Sequence, residues 1–436
     1  MKEVEQALTL KFMEVGGKKS LSQYKKIIRA SIKEHADRDG FVAYRRVPYA
    51  VTGAEKVMDK ANEVVQKGEY LQAVEIIFTI IHEMGDLMQS CDDSDGIVGG
   101  LINECLYSIT HISVELENSD SREKPALFKK ILEEALHPNL QGWGEWQLSL
   151  LNSAIYIMTT TTEKNLWSTQ LDSMEKIEKK ELFYSDYFIE GAAELRYRVI
   201  QKFEGEDSAV KFLQKHLDMP KFRKKVIEAA IDNLDYDKAL ELAEQGERKD
   251  AVKGYHGLVH QWKEYRYKIY GLTHKVEQQI QLAEELAESG EYEYYLLLKE
   301  LYGKDAWPAV CEGFLNKLEA KGGWKTAELY TKVLVEEERA SRLMEYVRKN
   351  KREVLKYYPY LVGEYTEEVF LLFKQFITEE AAKSTNRKEY QKMCKIIRSL
   401  IKAGGAVPAG EVIEQFRSKY PYRPALLDEL GKIKMG

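Results

Sequence analysis

One short phrase recurs along the chain and limits its fold more than any other feature. It reads Gly68-Glu-Tyr-Leu-Gln-Ala-Val74, Leu234-Asp-Tyr-Asp-Lys-Ala-Leu240, Gly290-Glu-Tyr-Glu-Tyr-Tyr-Leu296 and Gly322-Gly-Trp-Lys-Thr-Ala-Glu328. In each copy a small residue or turn closes one helix, an aromatic follows two places later, and a new apolar helix begins. A glycine just past a helix takes up positive φ at little cost. The aromatic (Tyr70, Tyr236, Tyr292 or Trp324) is placed to plug the corner between consecutive helices. Ala73, Ala239 and Ala327 then let a neighbouring backbone come close. Stacked helical hairpins need this punctuation.

Tyr236 and Tyr292 lie 56 residues apart, Tyr292 and Trp324 only 32. A tetratricopeptide array repeats at about 34, so the expectation is an irregular, tetratricopeptide-like solenoid. The longer interval implies two long helices, Arg248–Ile269 and Thr273–Ser289. Composition agrees with an all-α fold: 44% hydrophobic and 31% charged residues describe a folded chain, and 9 prolines in 436 residues leave room for helix throughout. No stretch sustains strand periodicity.

Taken in order, residues 1–19 carry a weak amphipathic pattern (Val4, Leu8, Leu10, Phe12) up to Gly16-Gly17. A helix follows with Ser20 or Ser22 as its cap and Tyr24, Ile27, Ile28 and Ile32 on one face. Cys91-Asp-Asp-Ser-Asp-Gly96 is a sharp loop, with Ser94 or Asp95 capping the next helix. The polar stretch from Asn118 to Glu123 is the best domain boundary, dividing a segment 1–120 from a repeat array 121–436. Thr159–Thr162 read as a connector because β-branched residues suit helix interiors poorly. The last strong helix is capped by Asn386 and closed by Gly404-Gly405.

The net charge of −6 argues against a general nucleic-acid binder. Four cysteines far apart, without a CxC or CxxC pair, suit a reducing compartment with buried free thiols. No signal-peptide pattern and no apolar run of membrane-spanning length are read, so the expected setting is cytoplasmic, away from the membrane.

Several landmarks stand in an order that resembles a known family. They are Gly40-Phe-Val-Ala-Tyr-Arg-Arg46, Asp92-Asp-Ser-Asp-Gly96, Trp262-Lys-Glu-Tyr-Arg-Tyr-Lys-Ile-Tyr270, Asn386-Arg-Lys-Glu-Tyr390 and Lys419-Tyr-Pro-Tyr-Arg-Pro-Ala-Leu-Leu-Asp-Glu-Leu430. From about Ser20 onward the chain is similar to the C-terminal helical region of bacterial SWIM zinc finger proteins. The resemblance implies a tetratricopeptide-like scaffold, and for the family roles beside Swi/Snf-type helicases and MoxR-type ATPases. The zinc finger itself needs CxC followed by CxH, and neither is present. No zinc ligands are carried over.

Each motif that suggests chemistry falls short. The loop at 92–96 has Cys91 and Ile102 where an EF-hand needs Asp and Glu. His82-Glu83 with Asp86 one turn on is a zincin helix lacking its second histidine and any identifiable third ligand. Arg29 and His35 share a spacing with helical HEPN-type ribonucleases. Gly17-Lys18 does not complete a P-loop. No catalytic residue, cofactor site or metal ligand is assigned.

Surfaces carry the functional reading. Tyr255, His256, Trp262 and Arg266 mix aromatic and basic groups at helical spacing, as interface hot spots do, although Trp262 equally suits the core between hairpins. Arg45 and Arg46, and Lys221, Arg223, Lys224 and Lys225, form a candidate basic face, with Arg348 to Lys356 as a further basic run. The expectation is a non-enzymatic scaffold, a right-handed stack holding a partner protein in its concave wall, with an ATPase or helicase as the partner the resemblance implies. The second reading is a nucleic-acid-associated module, which the net charge does not favour.

Overall fold

The computed structural model describes residues 18–178 and 185–435. Among these, helices follow one another from end to end without a strand; the isolated bridge Val42–Cys91 joins two loops. The fold is the all-α helical repeat that the corners announce. The readings placed on Val4 to Gly17 lie outside the described residues.

The chain divides into two compact units, Met1–Val226 and Ile227–Gly436. The division falls inside the helix Pro220–Asp232 and not near residue 120. The polar stretch expected to be a boundary is an internal turn. The helices on its two sides pack together, Ile97–Leu116 against Gly144–Ile157 and Tyr70–Met88 against Lys124–Glu134. Its own side chains hold it there. Glu123 accepts the N–H groups of Tyr70 (3.1 Å) and Leu71 (3.3 Å), and Lys124 donates to the Glu117 carbonyl at 2.9 Å.

In the first unit the helix Lys18–His35 is already running at Ser20, which is buried and does not serve as the expected cap. Its face of Tyr24, Ile27 and Ile28 is buried against the helices Thr52–Gln66 and Tyr70–Met88. Gly53 permits that crossing, since a Cβ there would stand 2.8 Å from the Ser31 Cβ and 2.9 Å from the Ile27 carbonyl oxygen. The helix Ile97–Leu116 is capped by Asp93 and not by Ser94 or Asp95. The Asp93 carboxylate accepts from Val98 N–H (2.9 Å) and Gly99 N–H (3.0 Å), where the helix dipole favours a negative charge.

This same helix corrects another expectation. By length and composition Ile97–Leu116 could cross a membrane; Asn103, Glu104 and Ser108 hide that in the sequence. In the structure it packs against Tyr70–Met88 and Gly144–Ile157, with Leu101, Ile102, Cys105 and Ile109 buried. The threonine connector also proves to be a helix start. Glu163 N–H donates to Thr160 Oγ1 at 3.2 Å, and the Glu163 carboxylate accepts the Thr159 and Thr160 N–H groups at 2.9 Å, a reciprocal capping box.

The second unit shows what the corners are made of. Leu234, Gly254, His274, Glu338 and Gly404 all have positive φ, between 52° and 93°. The N–H of the residue after each returns to a carbonyl five residues back: Asp235 to Ala230, Tyr255 to Asp250, Lys275 to Tyr270, Arg339 to Leu334 and Gly405 to Leu400, at 2.8–3.0 Å. This Schellman geometry satisfies carbonyls that the ending helix leaves free. Gly254 and His274 are corners that the phrase does not announce. They divide the 56-residue interval into the helices Tyr236–Val252, His256–Leu272 and Val276–Glu288, so the expected helix Arg248–Ile269 does not form. Leu234, Gly254 and His274 stand 20 residues apart, longer than a tetratricopeptide half-repeat.

The aromatic plug is only partly right. Tyr70, Tyr236 and Tyr292 are half-buried, but Trp324 is 75% exposed. Tyr295, one turn beyond Tyr292, does the filling instead. It is fully buried and donates to Glu337 at 2.6 Å. The same Glu337 oxygen accepts from Lys299 (2.7 Å) and Trp307 (2.9 Å). Cys105, Cys311 and Cys394 are buried free thiols, Cys91 a half-buried one. Burial pushes the Cys311 and Cys394 thiols up to about 11, far from reactivity.

Candidate functional site

The four residues expected to form one partner surface separate. Trp262 is fully buried, and its indole N–H donates to Asp250 at 2.7 Å. Asp250 is buried too, and its carbonyl closes the corner at Gly254. Arg266 is mostly buried, paired with Glu247 at 2.5 Å and donating to the Tyr270 hydroxyl at 3.2 Å. Helical spacing put these side chains on one face, and that face is the one packed between helices. Tyr255 and His256 are exposed, at the corner itself.

Two exposed aromatics of the second unit, Tyr255 and Trp324, stand at its corners. Within the second unit the chain turns back at Gly254, His274 and Gly290, and again at Gly303, a left-handed break (φ 71°) inside Tyr292–Lys321, so the corners at Gly254, Gly290 and Gly322 share one edge. The last two touch: a Cβ on Gly290 would lie 2.9 Å from the Lys325 Cβ. Tyr255 (51% exposed) and Trp324 (75%) stand on this edge, with Val252 91% exposed beside the first. A cleft of about 270 Å³ runs between Tyr292 and Trp324, lined also by Glu291, Lys325, Glu328 and Lys332. Each of the three rings carries its own lysine: Lys253 5.7 Å over Tyr255, Lys332 3.2 Å over Tyr292 and Lys325 5.7 Å over Trp324. Such contacts hold an ammonium over the ring face. Burial, and then the nearby Glu336 carboxylate, raise the Tyr292 phenol above its ordinary range and keep it neutral.

The candidate basic face does not assemble. Arg45 and Arg46 are exposed on the short turn Tyr44–Arg46. Lys221 pairs with Glu194 at 3.4 Å, Arg223 is buried, Lys224 is half-buried, and Lys225 sits 4.6 Å over the Tyr197 ring. In the other basic run Arg348 is paired with Glu368 (2.5 Å) and Lys351 with Glu379 (2.7 Å). Arg29 and His35 are engaged separately. Arg29 donates to the buried Glu83 at 2.6 Å; His35 stacks on Tyr49 and contacts its own helix at the Ser31 carbonyl, 2.9 Å away. Glu83, the acid of the zincin-like pattern, is thus taken up by Arg29 and by Lys25 at 2.9 Å.

No protein-family model matches the chain, and no curated protein matches it. Among solved structures it is similar to a "circular tandem repeat protein with novel repeat topology and enhanced subunit contact surfaces". The match covers 94% of this chain and 93% of that one, at 12% identity and a TM-score of 0.25. A superposition that loose carries no argument about this chain.

Proposed function

We infer that the chain is a non-enzymatic scaffold that holds a partner protein, and that the second unit's corner edge is its contact surface. The observation behind this reading is Trp324: an indole left in solvent, at the mouth of a cleft, in a unit whose other tryptophans, Trp262 and Trp307, are buried and bonded. Exposed aromatics with flanking cations are the composition of interface hot spots. A peptide carrying apolar and acidic side chains suits three rings, each with its own ammonium. The resemblance to SWIM zinc finger proteins makes a MoxR-type ATPase or a helicase the first partner to try.

The test uses the full chain with a photo-reactive amino acid at Lys325. It crosslinks to one dominant protein in lysate, and Trp324→Ala reduces that capture by about 30-fold, the loss of one hot-spot residue. Undiminished capture by the Trp324→Ala chain would sink the reading.

A further inference from the structure

We propose that His82, Glu134 and His137 form a binding site for a divalent transition metal of the zinc type, in the first unit and separate from the corner edge. The three residues come from three elements: the middle of the helix Tyr70–Met88, the last residue of Lys124–Glu134, and the turn ahead of Pro138. One donor atom from each lies within 4.8 Å of the others. Two imidazoles and one carboxylate are a donor set that zinc accepts, at about 2.0–2.2 Å each, with a fourth position left for water. His82 Nε2 and Glu134 Oε2 are already 2.6 Å apart. The two imidazole rings lie stacked, with centroids 3.8 Å apart and planes 14° from parallel. A tetrahedral ion needs its donors roughly 3.3 Å apart and in the plane of each ring, so binding turns one imidazole out of the stack.

The surroundings hold these ligands in place. Lys130 takes the other carboxylate oxygen, Glu134 Oε1, at 2.8 Å and leaves Oε2 for the ion. Asn139 braces the His82 backbone: its side-chain amide donates to the His82 carbonyl (2.9 Å) and to Asp86 (2.8 Å); its backbone N–H donates to His137 Nδ1 (3.3 Å), marking the proton-free nitrogen, and the ion displaces that contact when it binds there. Gly85 makes room for Asn139, since a Cβ there would meet the Asn139 Cβ at 3.0 Å. These bonds hold the turn at 135–140 against the helix Tyr70–Met88. His82 and His137 are half-buried and Glu134 is buried, so the ion has a way in. Its effect would be to fasten the turn at 135–140 to the helix Tyr70–Met88.

The experiment titrates Zn²⁺, and separately Co²⁺, into the untagged, chelator-stripped full chain. One ion binds per chain, and Co²⁺ gives the visible absorption bands of a tetrahedral nitrogen–oxygen site. His82→Ala and His137→Gln abolish the bands. His111→Ala, on another helix, leaves binding unchanged. Circular dichroism of each variant shows that the helices persist; His137→Gln, which keeps a hydrogen-bonding side chain at the turn, is the variant to read if His82→Ala unfolds. Absence of Co²⁺ bands in the unaltered chain, or equal binding in the folded His137→Gln chain, overturns the proposal.

Discussion

Glu337 shows how a single side chain can decide the packing of a repeat. Three donors from the preceding helix converge on one of its oxygens, and two of them, Tyr295 and Trp307, are large rings of the core. Burial opposes the charge, but the hydrogen bonds from Lys299, Tyr295 and Trp307 outweigh it and hold Glu337 below the usual carboxylate range. A carboxyl whose folded value is depressed stabilises the fold fully above its unfolded value. That stability is lost as pH falls through the folded value. Glu337→Gln is expected to cost about 2–3 kcal/mol at neutral pH, since bonds to a charged acceptor become ordinary ones, and to flatten the decline in urea midpoint below about pH 4.5. Trp262 gives a second test: Trp262→Phe keeps most of the volume but strands Asp250, for a loss of about 1–3 kcal/mol by urea titration. Neither centre was legible in the sequence. Glu337 sits in the run Glu336-Glu337-Glu338, which reads as solvated surface, and Trp262 fitted a binding face as well as a core. His137 and Glu134 likewise become neighbours of His82 only through folding, more than 50 residues away in sequence.

The helices themselves were far easier to read, because their ends follow local chemistry. Asn386 caps its helix as expected, with its side chain accepting Glu389 N–H at 3.2 Å, and glycines at 68, 290, 322 and 404 stop theirs. Misreadings arose where the stop is not a glycine or the start is not the nearest polar residue. His274 and Glu338 adopt φ of 54° and 52°, a left-handed conformation that a side chain pays for with about 1–2 kcal/mol. Both are exposed, so little contact is lost on truncation. His274→Gly and Glu338→Gly should therefore each stabilise the chain by about 0.5–1 kcal/mol, the relief being partly offset by the freer unfolded chain. Gly254→Ala should cost about 1 kcal/mol. An unchanged urea midpoint in all three would show that these corners are not strained as their dihedrals imply.

At the level of the whole chain, each unit has a core of its own. Tyr24, Ile76, Leu150 and Trp167 belong to the first, and Tyr295, Phe314, Phe373 and Phe416 to the second. The polar stretch at 118–123 misled because a turn can be polar for a capping reason, as Glu123 shows, whereas the division runs within a continuous helix that carries no punctuation. Separate cores predict separable failures. Gly53→Val drives a branched side chain into Ser31 and the Ile27 carbonyl, and overpacking of this kind costs about 1–3 kcal/mol. Hydrogen exchange in the Gly53→Val chain should quicken across the helices from Lys18 to Met88, while Tyr330, Phe373 and Ile397 stay protected. Partner capture should then persist in this chain and fail in Trp324→Ala, because the corner edge belongs to the second unit. Capture lost in Gly53→Val, with the second unit still protected, would place the contact surface in the first unit instead.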